Sequence, residues 1–175
     1  MASAKREFEP DRLPDFERDI EQIASLGCAL TESDPVPLEM LGYVHHQAVH
    51  EAGHALVCHR LEIRFDTVRI IYDPGVRSVL NAKDHKLCLV SSAGAAAEDV
   101  VFGREGRQKW DCVGDRRRHE ECGGTDFEAD VVEVRKYGWF SKRALLEIAS
   151  SLERSPYRML GERKVRELSA SITEK

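Results

Sequence analysis

The chain has 175 residues, of which 42% are hydrophobic and 33% charged, and its formal net charge is −5. Those values suit one globular, soluble domain with an additional arm and a sizeable core, and they exclude a broad electrostatic footprint for nucleic acid. Five scattered cysteines (Cys28, Cys58, Cys88, Cys112 and Cys122) are odd in number and argue against a disulfide framework.

The N-terminal stretch MASAKREFEPDR is charged and lacks the apolar segment of a secretory signal. The longest weakly polar run, at 87–103, contains Glu98 and Asp99, so no membrane span is expected. The expected location is the cytoplasm. Residues 11–27 carry Leu13, Phe16, Ile20, Ile23 and Leu26 at helical spacing, with Pro14 near the start and Gly27 as a stop. SDPVP at 33–37 breaks the pattern. Residues 1–36 therefore read as a helical arm or cap, and 37–175 as the main domain.

A helix is expected from about Leu38 or Val44 to Leu61. Residues 66–81 give one clear strand and a returning hairpin strand around the Asp73-Pro74-Gly75 turn. DHKLCLVSSAGAAAEDVVFG at 84–103 reads as a helix ended by Gly103, its small residues Gly94 to Ala97 allowing a neighbouring helix to come close. Residues 104–124 are charged and aperiodic and read as a loop, with Cys112, His119 and Cys122 taken as loop residues in preference to a second metal site. A helix capped by Thr125 or Asp126 follows, then one capped by Ser141, then one capped by Ser155 with Pro156 in its first turn. The fold class is mainly α with a small β-sheet or hairpin.

The chemistry concentrates in YVHHQAVHEAGHALVCHRL at 43–61. His46, His50, His54 and Cys58 recur every four residues and share one helix face. HEAGH at 50–54 is H-E-x-x-H. His50 and His54 are one turn apart and can grip one zinc ion, while Glu51, turned about 100° round the helix, reaches a water acidified by that ion and takes its proton. That is the chemistry of amide hydrolysis. The ordinary alternative is a pair of satisfied core or surface histidines, costly in so apolar a run unless partnered. His46 and Cys58 are read as core or supporting residues, and Gly53 as a site of close helix packing.

A third ligand is required. The extended metzincin pattern fails, because Val57 and Arg60 stand where its glycine and third histidine belong. Glu98 is the first downstream glutamate in the stretch that could serve a thermolysin-like site. Asp126 and Asp130 in GGTDFEAD are the aspartate candidates, although the commonest role for Asp126 is a helix N-cap.

HEAGHALV at 50–57, SAGAAAEDVVFG at 92–103 and GTDFEAD at 124–130, in that order, resemble the peptidase domain of the FtsH family of ATP-dependent zinc metalloproteases. VRIIYDPG at 68–75 and RKYGWFS at 135–141 are similar to further family segments, so the resemblance spans roughly 40–145. It implies a zincin-like peptidase fold, Zn2+ as cofactor, His50, His54 and Asp126 as metal ligands with Asp130 the fallback, and Glu51 as catalytic base. The strand at 67–72 would be an edge for an extended substrate to pair with.

The chain departs from the family in having no G-x-x-x-x-G-K-[ST] motif, in the sequence Ser92-Ala93-Gly94-Ala95, and in the charged segment at 104–122. The expected function is a stand-alone zinc metalloendopeptidase, ATP-independent in itself, acting on unfolded polypeptides or peptides. A separate ATPase or a homo-oligomer is its conceivable partner, and neither nucleic acid nor a membrane is expected. The alternatives are a catalytically silent zinc-binding interaction module and hydrolysis of a small amide.

Overall fold

The computed structural model describes residues 41–70, 75–78, 85–107, 111–155 and 158–173. The expected helix at 11–27 and most of the Asp73-Pro74-Gly75 turn lie outside the described residues. In chain order the elements are α1 (Leu41–Arg60), β1 (Phe65–Arg69), β2 (Gly75–Ser78), α2 (His85–Phe102), a 3-10 turn (Arg104–Gly106), α3 (Asp111–Glu121), α4 (Phe127–Lys136), α5 (Lys142–Arg154), β3 (Met159–Gly161) and α6 (Glu162–Thr173). The fold is mainly helical with a small antiparallel sheet, as the sequence pattern leads one to expect. Among the described residues no helix is long and apolar enough to cross a membrane.

Helices α1 and α2 form the middle of the molecule. Ala48, Val49, Ala52, Ala55 and Leu56 of α1 pack with Phe65 and Val68 of β1, with Leu145, Ile148 and Leu152 of α5, and with Val165 of α6. On the far side of α2, Leu89, Ala93, Ala95 and Ala96 pack with Cys112 of α3 and with Phe127, Val131 and Val134 of α4. Helix α2 is therefore covered on both faces, which is why its sequence is a run of small residues rather than an amphipathic stripe. Two of its buried hydroxyls are satisfied within the helix: Ser91 donates to the Leu87 carbonyl and Ser92 to the Cys88 carbonyl, both at 2.9 Å.

The close approach expected at Gly53 is present. A methyl group there would lie 2.5 Å from the Ala93 carbonyl oxygen and 2.6 Å from the Ala97 Cβ, so only glycine lets α1 and α2 meet at this separation. Gly103 ends α2 at φ +81°, a conformation glycine adopts without a Cβ penalty. Asp126 caps α4, its carboxylate accepting from the Ala129 N–H at 3.0 Å, and Ser141 caps α5, accepting from the Ala144 N–H at 3.0 Å.

Three expectations are corrected. Residues 104–124 are not a loop throughout, because α3 occupies Asp111–Glu121. Its buried positions are Cys112 and His119, with Asp115 partly buried between them. That inward face holds no aliphatic residue, so hydrophobic periodicity does not register it. Ser155 does not start the last helix; it is the C-terminal cap of α5, its N–H donating to the Leu152 and Ser151 carbonyls. Its hydroxyl donates to the Met159 carbonyl at 2.7 Å, Met159–Gly161 form β3, and the last helix begins at Glu162. Finally, β1 is not an edge. The sheet order is β2-β1-β3, with Val68 opposite Val76 on one side and Leu160 on the other, so among the described residues both flanks of β1 are paired.

Candidate metal centre

The histidine row of α1 divides by environment. His46 stacks on Phe102 with ring centroids 3.9 Å apart, and Cys58 is buried in the core, where burial pushes its thiol up to about 12. His50, Glu51 and His54 lie between them, all buried, and together form a group able to hold a metal ion.

Each imidazole is fixed from behind. His54 Nδ1 lies 2.6 Å from the Val90 carbonyl oxygen, which can only accept, so Nδ1 carries the proton and Nε2 a lone pair. His50 Nδ1 lies 2.6 Å from a carboxylate oxygen of Glu98, itself fully buried, and donates to it in the same way. Both partners stand on α2. The neighbouring acid, Asp99, serves another purpose: it pairs with Arg107 and Arg135, at 3.1 and 3.3 Å. Gly94 makes the arrangement possible, since a methyl group at that position would fall 2.3 Å from His50 Nε2.

The outward nitrogens then converge. His50 Nε2 and His54 Nε2 are 3.1 Å apart, and Asp115 Oδ2 of α3 lies 3.0 Å from the first and 3.3 Å from the second. Three electron-rich atoms thus form a small triangle. Four ligands around one zinc at ~2.0–2.1 Å stand roughly 3.3 Å apart, so these atoms have the spacing of one tetrahedral face. Asp115 Oδ2 is buried and, among the described residues, faces only these two imidazole nitrogens, an environment that favours a cation. Although burial opposes its charge, the two imidazoles hold the Asp115 carboxyl well below the usual carboxylate range. Burial also works against a charged His54, and Asp115 outweighs it, so the pKa of that imidazole is raised. The residues present therefore fit a divalent metal, which would take the place of a proton on the imidazoles: two imidazoles, one carboxylate, and orienting groups behind both histidines.

Glu51 is buried beside the pair, and its Oε2 finds no hydrogen-bond partner among the described residues. Burial raises its pKa, against the pull of His54 and His50.

The expected aspartates stand elsewhere. Asp126 is exposed and engaged in capping α4, and Asp130 accepts a hydrogen bond from His119 Nε2 at 2.7 Å. The structure brings His50, Glu51 and His54 together as expected, and seats Asp115 rather than Asp126 or Asp130 against them. Glu98 orients His50 and does not face the triangle. Asp115 lay in the segment read as a loop. The available signal was the spacing Cys112, Asp115, His119 at i, i+3 and i+7, a helical face written in metal-binding residue types. Compared with known proteins, the chain matches no family model and no curated protein.

Proposed function

We propose that the chain is a zinc metalloendopeptidase of zincin-like, FtsH type, with His50, His54 and Asp115 as metal ligands and Glu51 as general base. The observation that carries this reading is the triangle of His50 Nε2, His54 Nε2 and Asp115 Oδ2, with edges of 3.0 to 3.3 Å. A zinc ion bound there supplies a Lewis acid for a carbonyl and lowers the pKa of water toward ~7.

The chain's own residues do the rest. Glu98 and the Val90 carbonyl keep both imidazoles in the tautomer that offers Nε2 outward. Glu51 is buried beside the pair with its Oε2 unpartnered among the described residues, so it is placed to take a proton from water and return it to the leaving amine. Its burial raises its proton affinity, which suits a group that must hold that proton for part of the cycle. Substrates would be unfolded polypeptides or peptides in the cytoplasm, reached directly or delivered by a separate ATPase or within a homo-oligomer. With both flanks of β1 paired, an extended substrate would have to use another surface than that strand.

The test is digestion of an unfolded protein by the zinc-loaded chain and by Glu51→Gln, with zinc measured in both. We expect fragments from the wild type alone and equal zinc in the two proteins. Equal zinc with no fragments from either would favour the silent zinc-binding module. Fragments from both would remove Glu51 from the mechanism.

A further inference from the structure

A second cluster of metal-binding residue types lies away from the histidine pair. His85 and Cys88, in the first turn of α2, and Asp130 of α4 bring a ring nitrogen, a thiol sulfur and a carboxylate oxygen within 4.8 Å of one another. His85 is exposed, Cys88 buried and Asp130 partly buried. Ligands of one tetrahedral zinc stand roughly 3.3–3.6 Å apart, so side-chain shifts on the order of 1 Å would bring the three atoms to that spacing.

The carboxylate is held in place. His119 Nε2 lies 2.7 Å from Asp130 Oδ2. The His119 ring is itself buried, edge-on to Phe127, and seated so closely on Gly124 that a methyl group there would lie 2.1 Å from its Cε1. A carboxylate supported from behind by a fixed imidazole is the arrangement ligating carboxylates favour. Burial raises the pKa of the Cys88 thiol, which donates to the His119 carbonyl at 3.9 Å, and a bound metal would displace that proton. Nitrogen, oxygen and sulfur donors from separate parts of the chain thus meet at one point, a mixed donor set that suits zinc.

We propose that His85, Cys88 and Asp130 form a second zinc site that ties the start of α2 to α4. It does not depend on the metallopeptidase reading. It differs from the first centre in one measurable respect: it binds through thiolate.

The experiment uses the full chain, stripped with a chelator and titrated with cobalt(II). A thiolate-to-cobalt charge-transfer band should rise in the near ultraviolet, together with a second bound equivalent. Cys88→Ser should lose the band and one equivalent. His54→Ala should lose one equivalent and keep the band, which separates this site from the histidine pair. Cys112→Ser should keep the band, although Cys112 lies near His50. No band in the wild type, or a band that survives Cys88→Ser, overturns the proposal. Should Cys88→Ser fail to fold, His85→Ala removes only an exposed side chain. It should weaken the band-forming equivalent by about tenfold or more, and unchanged affinity there also overturns the site.

Discussion

Two imidazole nitrogens 3.1 Å apart, with a carboxylate oxygen 3.0 Å from one of them, call for positive charge between them, which a shared proton or a metal ion supplies. At the scale of single residues this puts the third acid to a direct test. Asp115→Ala removes one corner of the triangle and should lower bound zinc sharply. Asp126→Ala removes a helix cap and should cost about 1 kcal/mol of stability while leaving zinc in place. Metal analysis and a denaturation curve on the two variants decide it, and loss of zinc in Asp126→Ala alone would restore the assignment that the family resemblance implies. The histidines and Glu51 could be read from sequence because H-E-x-x-H is local: its geometry follows from one helix and the number 3.6. Asp115 is harder to read, because its position depends on how α3 lies across α1 and α2, and the spacing of Cys112, Asp115 and His119 marks a helical face without saying what that face packs on.

At the scale of elements, helices with caps or apolar spacing were legible. α1, α2, α4 and α5 fall within a few residues of where Gly103, Asp126 and Ser141 place their boundaries. The failures share a cause. α3 turns cysteine, histidine and a partly buried aspartate inward instead of aliphatic residues, and β3 is three residues long and owes its existence to pairing with β1. Both are imposed by tertiary contacts rather than local pattern. Close packing of α1 on α2 gives a prediction of its own. Gly53→Ala gains helix propensity of about 1 kcal/mol, but its methyl meets a backbone oxygen at 2.5 Å, which cannot swing aside. The clash should win, with a net loss of about 1–2 kcal/mol. A chemical denaturation midpoint measures this, and a stabilised variant would show that the two helices separate easily.

At the scale of the whole molecule, the candidate centre sits where three layers meet. α1 gives the ligating histidines, α2 their orienting partners, and α3 the carboxylate. An ion held there joins both hydrophobic clusters, so its binding energy should appear as stability of the entire fold. Zinc at about 100 times its dissociation constant would add about 2.7 kcal/mol. Loading the stripped chain should therefore raise its melting temperature, and Asp115→Ala should lose the part of that rise due to the histidine pair. An equal rise in both proteins would mean that Asp115 contributes nothing to the ion's hold.

The two orienting bonds differ in a way that matters for how such a site changes over generations. The Val90 carbonyl that steadies His54 belongs to the backbone, so a change of side chain at that position leaves it in place. His50 depends on a side chain, and one codon change at Glu98 alters or removes its partner. One ligand is inherited with the helix, whereas the other is open to selection, and drift in metal preference should be sought first at position 98.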